Sequence, residues 1–316
     1  MARKPLLTVA MPVHDGAQWI GATLDSLAAA AGEEIEIIVV DSSPGDGTAA
    51  TVETYLDRLP IRLLRRPDLV PWQVKTNLGM ELATADYACI LHQDDLWLPN
   101  RLCAVRRWLD AAPEAIIHLA PSVYVDRRGR PMGPWQCPLP AERKLDSALV
   151  LERLLVQNFV SVPGPVFRRK AWLQCGGMDD KLWYTADWDI WLKLASTGEV
   201  VYHNETTTAF RIHGGSLTMT GSLNPAEFRE QMEIVFDRYI DRIPVERGRR
   251  VTRVARASIN VNVLFASASR GNWNALIAGA ANILSLGPAG IRRYFRDSRI
   301  RERVMSRLRA RLAGAL

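Results

Sequence analysis

Two adjacent carboxylates, Asp94 and Asp95, close the segment His92-Gln93-Asp94-Asp95, which directly follows the strand-like run Tyr87-Ala88-Cys89-Ile90-Leu91. A hard divalent cation takes oxygen ligands and often completes its shell with phosphate oxygens, so an acid pair at the end of a strand suits a cation bound to a diphosphate. The same pair also suits a plainer arrangement, one acid capping a helix that starts near Pro99 and the other meeting solvent. A further acid, Asp187, stands in Tyr184-Thr185-Ala186-Asp187-Trp188-Asp189, where Trp188, Trp191, Leu192 and Ala195 fall at helical spacing. In the first turn of an amphipathic helix the macrodipole favours a negative charge. Such a carboxylate is either an N-cap or, beside aromatic rings, a general base toward a hydroxyl. His213, between Ile212 and Gly214-Gly215, is either a metal or phosphate contact or simply structural.

These residues need a scaffold that brings strand ends together. Over the first 120 residues, β-rich runs at 6–11, 35–40, 61–64, 87–91 and 116–120 alternate with helical patterns at 17–30, 48–59, 73–82 and 99–111. Alternation of this kind predicts an α/β fold, a mostly parallel sheet flanked by helices. Ligands of such sheets bind beyond the carboxyl ends of the strands, and the loops there are polar: His14-Asp15-Gly16, Asp41-Ser42-Ser43-Pro44-Gly45-Asp46-Gly47 and the segment at 92–95. Residues 127–145, rich in Arg, Gly, Pro and Trp, read as a loop, followed by an amphipathic helix at 147–157. Beyond Pro225 the pattern is helical throughout, at 227–240, 245–269, 273–284 and 290–313. The expected organisation is therefore a sheet domain over 1–222 and a helical C-terminal region over 223–316.

With 48% hydrophobic and 23% charged residues among 316, the chain has the balance of a globular protein able to bury a large core. The total charge of +6 is unevenly placed. From Ser285 onward there are nine arginines against two acids, a net of +7, so the first 284 residues carry about −1. A basic tail on a near-neutral body argues against a nucleic-acid partner and for a local patch facing an anionic surface. In that tail Ile300, Val304, Leu308 and Leu312 recur every four residues, with Met305 widening the stripe and arginines on the other faces. Residues 290–316 can thus lie on an anionic membrane, or the stripe can pack on the preceding helices while the arginines meet water. Four cysteines, Cys89, Cys103, Cys137 and Cys175, lack paired spacing and suggest neither a zinc knuckle nor a redox motif. No secretory pattern opens the sequence and no apolar run reaches about 20 residues, so a cytoplasmic protein is expected, either free or resting on the inner face of the cell membrane.

Taken together, five motifs in order resemble glycosyltransferase family 2, the inverting transferases of GT-A fold, over roughly residues 6–220. They are Met11-Pro12-Val13-His14 at the end of the first strand, Ile37-Ile38-Val39-Val40-Asp41-Ser42-Ser43-Pro44-Gly45-Asp46-Gly47-Thr48, Lys75-Thr76-Asn77-Leu78-Gly79-Met80, the Asp94-Asp95 pair before Leu98-Pro99, and Ala186-Asp187-Trp188-Asp189. The resemblance implies a hexosyltransferase-like enzyme moving a sugar from a nucleotide diphosphate donor to the hydroxyl of a carbohydrate or lipid-linked acceptor, in surface polysaccharide or glycolipid assembly. It implies that Pro12, Val13 and Asp41 line the nucleotide pocket, that Lys75 lies near the base or phosphates, and that Asp94 and Asp95 contact the donor. Asp95 and His213 would hold Mn2+ or Mg2+, Asp187 would be the catalytic base, and Gly176-Gly177-Met178-Asp179 would approach the acceptor. The chain departs from the family pattern in three places. Ser42 follows Asp41 where a second acid is usual, leaving uridine, guanosine and thymidine open; His92 opens the acidic motif in place of an Asp; and Ala186 precedes Asp187 in place of a Glu. These missing acids also fit a second reading, a nucleotide-sugar-binding subunit that positions a partner enzyme without transferring sugar itself. Trp135 and Trp183 can stack on sugar rings or pack within their loops.

Overall fold

The computed structural model describes residues 4–30, 32, 34–141, 143–216, 224–268, 274–312 and 314. Its main sheet has eight strands in the order β3-β2-β1-β4-β10-β6-β11-β9. The parallel half comprises β1 (Leu7–Val13), β2 (Ile35–Asp41), β3 (Ile61–Arg65) and β4 (Tyr87–Ile90). All seven residues of β1 are buried, as a central parallel strand covered on both faces requires. Helices α1 (Ile20–Ala30), α2 (Gly47–Glu53), α3 (Trp72–Leu82) and α4 (Arg101–Ala111) connect these strands onward. The second half is mixed: β10 (Val166–Arg168) runs antiparallel between β4 and β6 (Ile117–Leu119), β11 (Val200–Tyr202) is parallel to β6, and β9 (Arg143–Leu145) closes the edge antiparallel to β11.

A second sheet, not foreseen in the sequence pattern, has the order β5-β12-β7-β8 and is built from β5 (Leu96–Trp97), β12 (Thr208–Arg211), β7 (Ser122–Val125) and β8 (Pro131–Trp135). The segment 127–145, expected as a loop, therefore carries β8 and β9. Prolines and a glycine suit β8 to the outer edge of its sheet, where missing ladder donors cost little and no alternating pattern betrays the strand.

The remaining helices are α5 (Ser147–Val156), α6 (Arg169–Gln174), α7 (Ala186–Ala195), α8 (Pro225–Tyr239), α9 (Val245–Ala268), α10 (Asn274–Leu284), α11 (Gly287–Ser298) and α12 (Ile300–Leu312). One hydrophobic cluster joins Ile90 and Phe167 of the sheet to Leu154, Trp172 and Trp191 of its covering helices, and continues into Phe228, Phe236, Val251 and Ile259 of α8 and α9. A second cluster covers the other face with Val9, Leu24, Ile37 and Trp108. Ion pairs tie the C-terminal helices on as well. Asp297 is fully buried against Arg293 (3.4 Å) and Arg296 (2.6 Å), and Glu152 of α5 meets Arg293 at 2.9 Å. The expected boundary near residue 222 falls outside the described residues.

The single helix expected at 290–313 is two helices. Arg299 takes a left-handed conformation (φ 48°), and the Ser298 hydroxyl accepts from the Ile300 N–H to start α12. The turn redirects α12 onto β8, where Ser306 and Ala310 are buried and Arg309 Nη1 donates to the Met132 carbonyl at 3.0 Å. The stripe Val304, Met305, Leu308 and Leu312 consequently points outward, 41–81% exposed, and of the five apolar positions only Ile300 is buried. Among the described residues no single helix is long and apolar enough to cross a membrane; α10 and α11 reach that length only as a pair bent by 116°.

Candidate functional site

Register explains how distant residues meet. Antiparallel pairing of β5 with β12 sets Ala209 opposite Leu96 and Thr208 opposite Trp97, so the chain leaving β12 runs back past the acids that precede β5. Arg211 then donates its backbone N–H to Asp95 Oδ1 (3.1 Å) and its Nε to the Asp94 carbonyl (2.8 Å), and His213 Nε2 reaches Asp94 Oδ2 at 2.8 Å. Trp19 stacks on His213 with ring centroids 4.6 Å apart, and the Arg211 guanidinium lies over the same indole. Gln93 fastens the loop to β1 by a double hydrogen bond with the His14 backbone. Neither acid caps α4, whose N-cap is Asn100.

The two acids face different ways. Asp94 lines the cavity, whereas Asp95 is 1% exposed and turned into the protein. Burial works against ionisation of both. At Asp94 the His213 hydrogen bond and the neighbouring imidazoles outweigh it and hold the carboxyl low; at Asp95 burial and the Asp94 charge together push it up. Ligand atoms of His92, Asp94 and Asp95 lie within 4.8 Å of one another. His92 Nε2 and Asp95 Oδ2 are both shut from water without a hydrogen-bond partner, and burial lowers the His92 pKa so that the ring is neutral, as a ligand must be. A divalent cation fits this donor set, and His92 joins it where sequence reading saw only a missing Asp.

Asp187 opens onto the same cavity as His92 and Asp94. It sits in the first turn of α7, behind Thr185, which is the N-cap and makes no side-chain cap bond. Burial raises its pKa to about 6, against the opposing hydrogen bonds from the Trp188 N–H (2.8 Å) and from Asn158 Nδ2 (2.8 Å). Asn158 carries no motif and was invisible in the sequence. Asp189, two residues on, is fully buried and held by Arg238 (3.1 Å), Lys193 (3.1 Å) and the Tyr239 hydroxyl (3.0 Å), so it anchors α7 to α8 rather than facing the cavity. Trp135 lines the cavity too, stacked on Tyr124 at 4.8 Å, while Trp183 packs edge-on against Tyr184. The Gly176-Gly177 turn, at φ 81° and 64°, delivers Met178 to Asn77 of α3.

Pro12, Val13, Asp41 and Lys75 form a separate buried group where β1 and β2 end. Lys75 Nζ donates to the Val13 carbonyl (2.6 Å) and to Ser42 Oγ (2.7 Å), and burial lowers its pKa to about 8. Asp41 Oδ1 accepts from the Ser43 N–H at 2.8 Å, while Oδ2 is buried without a hydrogen bond. None of these four lines the cavity that holds Asp94 and Asp187.

The model of glycosyl transferase family 2 matches residues 8–172. The chain belongs to this family. Relatives of the chain include an uncharacterized glycosyltransferase of Rickettsia prowazekii, 26% identical over 237 residues that cover 72% of this chain and 70% of that protein. Among solved structures, a mannosyltransferase from Pyrobaculum calidifontis in complex with GDP-Man and Mn2+ superposes with a TM-score of 0.58 at 18% identity, covering 97% of this chain and 87% of that one. TarS 1–349 of S. aureus in complex with UDP-GlcNAc superposes with the same TM-score at 15% identity, covering 82% and 83%. At these identities the likeness speaks for the fold, which is that of GT-A glycosyltransferases; the family match makes this family 2 chain a glycosyltransferase.

Proposed function

We propose that the protein is an inverting, metal-dependent glycosyltransferase that moves a sugar from a nucleotide diphosphate donor onto an acceptor hydroxyl, in the assembly of a surface polysaccharide or glycolipid. The observation that carries this reading is one cavity shared by Asp94 and Asp187. One end offers ligands for a cation and its diphosphate; the other offers a carboxylate able to take a proton near neutral pH. The GDP-Man and UDP-GlcNAc bound by the two neighbouring structures are donors of this chemical class. A bound cation would supply Lewis-acid stabilisation of the departing diphosphate.

In this reading His92, Asp94 and Asp95 hold the cation, and His213 steadies Asp94. Mn2+ suits a donor set with imidazole better than Mg2+, which prefers oxygen alone. Asp41 Oδ2, buried without a hydrogen bond and 3.7 Å from Arg65 Nε, is the donor-binding acceptor atom at the base end, and Lys75 fixes the loop beside it. Asn158 orients Asp187, which removes the proton of the acceptor hydroxyl as its oxygen attacks the anomeric carbon opposite the leaving group. That geometry inverts the centre. Outward-facing Val304, Met305, Leu308 and Leu312, flanked by Arg301 and Arg311, give α12 the chemistry to rest on an anionic bilayer at the cytoplasmic face.

The test is Asp187→Asn. Transfer should fall by ~10²–10⁴-fold while UDP or GDP binding with Mn2+ is kept; turnover near wild type would overturn the assignment. Absence of both nucleotide release and transfer in the wild-type chain, with binding intact, would favour the non-catalytic subunit. Co-sedimentation with phosphatidylglycerol vesicles should fall when 290–316 is deleted.

A further inference from the structure

To the same cavity α12 contributes Arg303 and Arg307, one helical turn apart and on one face. The Arg303 guanidinium is anchored by one arm only, Nη2 donating to Asn262 Oδ1 at 3.2 Å. Its Nη1 is shut from water and has no hydrogen-bond partner. The groups that act most strongly on it are Arg307 and the hydroxyls of Tyr124, Tyr184 and Tyr294. Nearby acids are committed elsewhere: Asp187 to Asn158, Glu302 to Arg299 and Asp297 to the arginines of α11. Two like charges in one partly desolvated wall repel each other and lose hydration, which is unfavourable unless an anion completes the site. The cation ligands His92, Asp94 and Asp95 stand at the strand ends, whereas Arg303 also lines a small adjoining cavity with Tyr124, Trp135 and Asn158 in which none of those three takes part, so the anion it awaits is distinct from a diphosphate held beside the cation.

We propose that Arg303 and Arg307 form a phosphate subsite on the acceptor side, so that the accepting hydroxyl belongs to a sugar or polyol carrying a phosphate ester or diphosphate. This rests on the transferase reading above and names its acceptor class. Paired guanidiniums offer several donors in fixed planes and match the oxygens and charge of a phosphate better than a single carboxylate. Tyr124 and Trp135, stacked beside the pair, provide an aromatic wall for the ring that bears the hydroxyl.

The experiment measures thermal shift and calorimetric binding of inorganic phosphate to the full chain at constant ionic strength in EDTA, with acetate as the competing probe. Phosphate should stabilise the wild type more than acetate, and its affinity should fall at least about tenfold in Arg303→Gln/Arg307→Gln, the loss expected for charge-assisted bonds. Arg307→Gln alone, at a half-exposed position, gives the same reading if the double variant folds poorly. Two further arms separate the sources of the group. Variant-sensitive binding of glycerol 3-phosphate marks a soluble phosphorylated acceptor; variant-sensitive pelleting with phosphatidylcholine vesicles doped with a prenyl diphosphate marks a lipid-linked one. Unchanged phosphate affinity in the variants, or acetate binding as tightly as phosphate, overturns the proposal. UDP and GDP binding with Mn2+ is read in parallel: if it is intact while phosphate is indifferent to the arginines, only the subsite fails, whereas its absence from the wild type undoes the transferase reading itself.

Discussion

At one end of the cavity the wall is made of strand termini, and at the other of helix faces. His92 and Asp94 follow β4 and His213 follows β12, so backbone ladders with a defined register hold them, and Arg211 and Gln93 lock the loops between. Asp187, Asn262, Arg303 and Arg307 sit on α7, α9 and α12, whose relative placement depends on side-chain packing and on buried ion pairs around Glu152 and Asp297. A ladder-built end keeps its geometry when single side chains change, because main-chain hydrogen bonds survive substitution. A packing-built end moves when one anchor is lost. In the proposed function the ladder-built end takes the donor and the packing-built end the acceptor.

The largest effect that sharpens the contrast is chemical. Asp187→Asn should lower turnover by ~10²–10⁴-fold, the usual worth of a general base, with nucleotide affinity at the ladder-built end unchanged. Measuring kcat beside nucleotide Kd checks both halves, and a matching loss of nucleotide affinity would break the separation. Next, Asp297→Asn should destabilise the fold by about 3–5 kcal/mol, since it strips a buried anion from three arginines, and chemical denaturation reads it. Impaired acceptor saturation with normal nucleotide binding is expected in the folded fraction. Smaller is His213→Ala, expected to weaken Mn2+ by ~10–100-fold through the loss of the partner that orients Asp94, seen in metal titrations of activity.

Smallest is the pH dependence. Asp187 must be ionised to accept a proton, and with its pKa near 6 turnover should fall about tenfold per unit below that value. Lys75 loses its charge above about 8, which sets the alkaline limb if it serves the donor. Asn158→Ala removes a bond that favours the charged Asp187, so the acidic limb should move to higher pH while the alkaline limb stays. Movement of both limbs together would mean that the two ends of the site are coupled.

Much of the ladder-built end was legible because β1, β2 and β4 are short apolar runs with polar residues where each strand stops, and period and punctuation are local properties of a chain. The roles of Asn158 and His92 were not, since a single Asn before a Phe has no pattern and His92 gains meaning only from the acids folded against it. β8 escaped notice because edge strands tolerate proline. The break at Arg299 escaped because the helical spacing of apolar residues continues across it, and only packing on β8 selects the left-handed turn.

By itself the sequence determined the alternation of strands and helices, the acids at the strand ends, the first-turn position of Asp187 and the basic tail. Only the tertiary structure decided that Asp94 rather than Asp95 faces the cavity, that Asp189 is an anchor, and that Arg303 and Arg307 of the tail turn toward the cavity while its apolar stripe turns out. Local composition sets which conformations a segment favours. Which face of a segment meets water depends on contacts between residues more than a hundred positions apart, such as Arg211 with Asp95 and Arg309 with Met132, and those exist only once the chain has folded.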